Sequence, residues 1–167
     1  EHGLGNGAKV ALRCICPEHL FTRNAVLASG GLISPLSVVY RDHDLASRLD
    51  LIDVDAIVTT PDLLKQTIQV RSQLNKPIKI FVVERDADGQ KLFYEERQQL
   101  RREMAQHPLV YGFFDSMQYL SADDLPIQKT KPGQMAFSMA TSGSSGVLKQ
   151  VLVPHWQAMC AVMAGGV

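Results

Sequence analysis

Short apolar runs and amphipathic stretches alternate along the chain. Lys9 to Ile15 (KVALRCI) is rich in β-formers and follows a Gly-rich turn, so it predicts a strand. Pro17 to Ser29 predicts a helix stopped at Gly30 and Gly31. Leu32 to Leu36 reads as a short buried strand, and Asp42 as the cap of a helix running to about Ile52. Within that helix Leu45, Leu49 and Ile52 recur at helical spacing. Ala56 to Thr59 is a further apolar run, and Pro61 and Asp62 open a helix to about Leu74. Ile78 to Val83 (IKIFVV) gives the clearest strand, followed by a polar surface loop over Glu84 to Gln90.

Tyr94 to His107 is charged throughout and predicts a solvated helix in which Arg101 and Arg102 need no partner beyond water. Pro108 to Pro132 reads as irregular, with Asp123 and Asp124 as turn or cap residues. Met135 to Ala140 predicts the last strand and Pro154 to Ala164 the last helix. Strands that are apolar along their length and alternate with helices specify a parallel sheet covered on both faces. The expected fold is therefore α/β, a layered, doubly wound, mostly parallel sheet. The apolar stretch Trp156 to Val167 ends without a polar cap, which reads as a chain cut within or just after a helix.

Composition narrows the function classes. The chain has 167 residues, 46% of them hydrophobic, enough for one domain with a real core. Lys+Arg and Asp+Glu both number 17, so the formal net charge is zero, which argues against a duplex nucleic-acid partner. It also gives no polybasic case for an anionic membrane. No apolar run approaches the roughly 18 residues needed to cross a bilayer, and no signal-peptide pattern opens the chain, so a cytoplasmic or organellar protein is expected. Cys14 and Cys16 fall at i, i+2 on one face of a strand-like run and read as small buried residues in a reducing compartment. With Cys160 the cysteines are three, so at least one has no internal partner.

Chemistry concentrates in Met139 to Val151 (MATSGSSGVLKQV), where a strand runs into Thr141-Ser142-Gly143-Ser144-Ser145-Gly146 and then Lys149. Glycines let the backbone come close to a ligand, and successive exposed N–H groups form an anion-binding nest. The hydroxyls add rotatable donors and Lys149 a positive charge, a combination suited to a polyphosphate. A flexible Gly/Ser surface loop is the plain alternative. A Walker-type loop is excluded: counting from Gly143, the second glycine would stand where Leu148 is found, and Gln150 follows the lysine where a hydroxyl is required.

The segment resembles the signature loop of the adenylate-forming superfamily, which includes acyl-CoA synthetases, peptide-synthetase adenylation domains and luciferases. The match runs through Thr141, Ser142, Gly143, Ser144, Gly146, Lys149 and His155. Ser145 replaces a threonine, Leu148 a proline and Gln150 a glycine. Upstream, GNGAKVALRC, the stretch from CPEHLF to LASRL, and AIVTTPDLL are similar to the family's opening strands and helices, in order.

The resemblance implies an incomplete N-terminal part of an adenylation domain spanning 1–167, with the phosphate loop at 141–149 and the C-terminal subdomains absent. It implies activation of a carboxylate by ATP, with Mg2+, to an acyl-adenylate, and transfer to a thiol, with CoA as co-substrate. Thr141, Ser142, Gly143, Ser144, Ser145 and Gly146 would hold the β- and γ-phosphates, and Lys149 would neutralise their charge in a catalytic role. The family's remaining motifs and most of its acyl pocket lie downstream, so the partner is the remainder of the same enzyme and the chain alone is expected to be inactive. Two other readings stay open: a non-catalytic module that keeps the fold, and part of an adenylation domain in a multidomain peptide or polyketide synthetase. An unfinished sheet edge would favour self-association.

Weaker signals read plainly. Gly3-x-Gly5-x-x-Ala8 precedes a strand instead of following one, so it is a turn and not a dinucleotide fingerprint. Asp42-His43-Asp44 sits at a helix start, where acids favour the dipole, and no metal is expected there. His155 reads as a packing or capping residue.

Overall fold

The computed structural model describes residues 7–86, 88–118, 128–142 and 147–164. In chain order the elements are β1 (Lys9–Arg13), α1 (Glu18–Ala28), β2 (Leu32–Pro35), α2 (Asp42–Ile52), β3 (Ala56–Thr59), α3 (Pro61–Arg71) and β4 (Lys79–Val82). They are followed by α4 (Tyr94–Met104), β5 (Val110–Gly112), α5 (Phe113–Met117), β6 (Met135–Ser142), β7 (Leu148–Pro154) and α6 (His155–Ala164). Among the described residues the strands form one sheet in the order β5-β4-β3-β1-β2-β6-β7. All neighbours run parallel except β7, which is antiparallel to β6.

The chain starts in the middle of the sheet and winds outward in both directions, which divides the helices between its faces. Val10, Leu12 and Cys14 join Val58, Phe81 and Val83 on one face, against Val26 and Leu27 of α1. Ala11 and Ile57 point the other way, onto Leu45, Leu49 and Ile52 of α2 and Val70 of α3. Ile80 and Val82 continue that second face beneath Leu100 and Met104 of α4. Every residue of β3 is therefore buried, as are β1 and β4 after their first residue, the burial expected of a sheet covered on both sides.

The turn from α1 into β2 depends on its glycine pair. Gly30 takes φ 75°, a conformation that costs glycine little. At Gly31 a Cβ would lie 2.6 Å from Val26 Cγ1 and 2.7 Å from the Ala8 carbonyl oxygen, so only glycine lets α1 pack this close to the sheet.

Several expectations are corrected. Asp42 is the first residue of α2 instead of its cap, with Arg41 at the cap position. Its carboxylate accepts from Gln66 Nε2 at 2.6 Å and Gln69 Nε2 at 3.1 Å, so it ties α2 to α3. The segment after Pro108 contains β5 and α5, which were read as irregular. A further strand, β7, follows the one expected to be last. Arg101 does have a partner, Asp115, at 2.6 Å. Glu84, read as part of a surface loop, is 3% exposed. Of the cysteines Cys14 is buried, Cys16 half-buried and Cys160 exposed. Gly3, Gly5, Asp123 and Asp124 lie outside the described residues.

Candidate functional site: a hairpin that overhangs the sheet

The parallel strands share one carboxyl edge, the side on which open α/β sheets receive ligands. β6 reaches furthest past it. Phe137 lies opposite Ile33 in the parallel pair, and β2 ends two residues on at Pro35, whereas β6 continues five residues on to Ser142. The surplus carries the strand about 10 Å beyond its neighbour.

β7 returns alongside it, with Thr141 opposite Lys149 and Ser142 opposite Leu148. Directly opposed residues in an antiparallel pair project from the same face. The Thr141 hydroxyl and the Lys149 ammonium therefore share a face at the tip, in line with Met139, Val151 and Phe137. That face carries α1, because Phe137 packs against the cluster that α1 covers. Thr141 and Lys149 are both exposed. Gly143, Ser144, Ser145 and Gly146 lie outside the described residues.

The two departures beside the lysine have distinct places. Gln150 donates from Nε2 to Ser138 Oγ at 2.9 Å, and the Ser138 carbonyl accepts from Ser34 Oγ at 2.9 Å. Gln150 thus anchors β7 down towards β2, with its amide directed away from the tip. Leu148 is half-buried opposite Ser142. His155 is not brought to the tip: β7 leads back along the sheet for about 20 Å before α6 starts. Its backbone N–H donates to the Gln134 carbonyl at 2.9 Å.

A second polar feature lies at the same carboxyl edge beyond β4 and β5, and no local sequence signal announced it. A cleft of about 310 Å³ is lined by residues that include Glu18, Glu84, Arg85, Lys91, Arg97 and Arg101. Glu18, in the first turn of α1, accepts two hydrogen bonds from Arg85, at 2.7 and 2.5 Å. Those bonds hold the Glu18 carboxyl below the ordinary carboxylate range. Burial has the opposite effect on Glu84 and raises it.

Comparisons with known proteins bear on the fold and the family. The profile of a family described as AMP-binding enzyme matches residues 1–166. No curated protein sequence matches the chain. ATP-bound MatB from Rhodopseudomonas palustris superimposes with a TM-score of 0.65 at 17% identity, covering 97% of this chain and 27% of that one. A long-chain-fatty-acid-CoA ligase (FadD1) from Archaeoglobus fulgidus gives 0.66 at 19% identity, covering 99% and 29%. The adenylation domain of a carboxylate reductase from Mycobacterium chelonae gives 0.71 at 18% identity, covering 92% and 25%. The chain thus spans about a quarter of the length of these structures. A sheet wound outward from β1, a flanking hairpin at its carboxyl edge and a profile match along nearly its whole length place the chain in the AMP-binding enzyme family.

Proposed function

We propose that the β6–β7 hairpin binds the β- and γ-phosphates of ATP in a ligase that turns a carboxylate into an acyl-adenylate, with CoA as the later acyl acceptor. The observation that carries this reading is the overhang, in which Thr141 and Lys149 stand directly opposite each other at the exposed end of β6. In the proposed reaction the carboxylate oxygen attacks the α-phosphorus and pyrophosphate leaves. The chain's own contribution is electrostatic: fixed donors and one cation placed where the leaving pyrophosphate gathers charge. Gln150 supports the reading, because its amide is spent on Ser138 and leaves the tip clear.

The chain supplies one part of this machinery. Val151 and Leu152 are exposed on opposite faces of β7, and Trp156 and Met159 on α6, exposed apolar side chains of the kind found at interfaces. In our reading the remainder of the adenylation domain covers them and brings the acyl pocket. The test is ATP–pyrophosphate exchange over a panel of carboxylates, run on the full-length enzyme and on this chain alone. We expect exchange from the former and none from the latter. Robust exchange by the isolated chain would overturn the division of labour, and none by the full-length enzyme with any carboxylate would overturn the activity.

A further inference from the structure

Cys14 and Cys16 are not used by the proposed ATP site. Cys14 follows β1 and belongs to the cluster formed with Leu12, Phe81, Val83 and Phe113, and Cys16 packs against the same cluster. Ile15 between them is 76% exposed. The two thiols therefore turn inward together while the residue between them turns out. They differ in access, since Cys14 is buried and Cys16 half-buried, and both are free thiols. This is the layout of an attacking thiol backed by a resolving one.

The surroundings favour thiolate character at Cys16. The neighbouring Cys14 thiol lowers the Cys16 value and the His19 N–H in the first turn of α1 assists, against partial burial and the Glu18 carboxylate, which both raise it. Cys14 is shifted upward by the Cys16 thiol and by its own burial. Two residues beyond Cys16, Glu18 lines the mixed-charge cleft, in which Arg85 is paired with Glu18 and Arg101 with Asp115, and Arg85 is within electrostatic reach of the Cys16 sulfur. Among the described residues Lys91 and Arg97 of that cleft form no ion pair.

We propose that Cys14 and Cys16 form a redox-active dithiol that closes to a disulfide by exchange with a small anionic disulfide of the oxidised-glutathione class. The Cys16 thiolate attacks one sulfur of the small disulfide, which makes a mixed disulfide and releases one small thiolate. Cys14 then loses its proton to that thiolate, and its sulfur attacks Cys16 Sγ and expels the second small thiolate. The second thiolate takes from solvent the proton that Cys16 gave up on ionising, so that overall the dithiol loses two electrons and two protons and the small disulfide becomes two thiols. Ring closure across one intervening residue must draw Cα atoms from the about 7 Å of an extended pair towards about 5.5–6 Å. A bond made on those terms is easily reduced, which suits a reversible switch better than a structural staple.

The experiment follows the purified protein through buffers of reduced and oxidised glutathione, with alkylation and tryptic mass analysis. Cleavage after Arg13 and Arg23 leaves both cysteines on one peptide, and Cys160 falls on another. In oxidising buffer we expect the Cys14–Arg23 peptide to resist alkylation and to weigh two hydrogens less, reversibly. Cys14→Ala, a small substitution suited to a buried site, should stop the reaction at a mixed disulfide on Cys16. The rate in that variant should fall with added salt for oxidised glutathione and not for the cationic disulfide cystamine. Full alkylation of both cysteines throughout, or a stable mixed disulfide in the parent, would overturn the dithiol. A rate with oxidised glutathione that rises with salt or does not respond to it would overturn the anionic partner.

Discussion

Arg85→Ala probes the contact that ties the entrance of α1 to the exit of β4, across 67 positions of sequence. The Glu18 side chain is 6% exposed and that of Arg85 16%, and the two meet through paired hydrogen bonds of 2.7 and 2.5 Å. Removing the guanidinium leaves a carboxylate in a site closed to most water. Breaking buried pairs in this way costs about 3–5 kcal/mol, and the position of Arg85 at a cleft rim argues for about 3.

The pH dependence has a definite sign. Glu18 sits below its ordinary 4.5 in the fold, chiefly through Arg85, so the pair stabilises fully above that value. The contribution is lost as pH falls through the folded value. Urea unfolding followed by circular dichroism should therefore show a lower midpoint for Arg85→Ala at neutral pH, with an unchanged slope, and a difference that narrows in acid. Glu18→Gln combined with Arg85→Met, which removes both charges, should recover most of the loss. Refutation would be a midpoint equal to the parent's at neutral pH, or a double variant no better than Arg85→Ala.

Three further outcomes follow. Lys149→Ala in the full-length enzyme should slow ATP–pyrophosphate exchange by about 10²–10³-fold, while the exposed site should leave unfolding within about 0.5 kcal/mol of the parent; unchanged exchange removes the lysine from the mechanism. Glu84 is raised by burial, so the fold gains stability as pH falls from the folded value towards 4.5; Glu84→Gln should stabilise at neutral pH, on the order of 1 kcal/mol, and lose that gain in acid, as read from thermal melts across pH. Arg13→Met should cost about 3 kcal/mol in urea unfolding, because it strips a charged donor from the buried Thr67 hydroxyl and from the half-buried Val38 and Tyr40 carbonyls.

Legibility in the sequence followed the range over which each element is determined. The β1–α1 and β3–α3 units carry their own signals: an apolar strand, then helical spacing, then a glycine stop or a proline start. β5 has three residues and α5 five, too few to show a period. β5 exists because β4 offers Ile80, Phe81 and Val82 as pairing partners for Val110, Tyr111 and Gly112. β7 carries no strand signal of its own, since its length is fixed by pairing with β6. The hydroxyl and lysine pattern of the hairpin was visible as a motif. Its overhang was not, because that depends on where β2 ends. Glu18 and Arg85 gave no local sign of each other, and only the doubly wound order brings their segments to one edge.

That order also explains why the candidate site lies on a flank. In a sheet wound outward from β1, the crevice between the carboxyl ends of β1 and β3 is the usual place for a ligand. Here Arg13 ends β1 opposite Thr59, and its side chain, 0% exposed, occupies that position. It donates to Thr67 Oγ1 at 3.1 Å, to the carbonyls of Val38 at 3.2 Å and Tyr40 at 3.5 Å, and to Gln66 Oε1. Gln66 in turn donates to the Tyr40 carbonyl at 3.1 Å and to Asp42 at 2.6 Å. Burial lowers the Arg13 pKa, and Asp62 and Asp42 work against that shift. The guanidinium thus fastens the segment between β2 and α2 to α3, and the crevice is packed with structural polar groups. A bulky phosphate ligand needs open donors at the carboxyl edge. In the proposed reading those donors come from the strand pair added outside β2, where β6 outruns its neighbour and β7 brings a lysine back beside it.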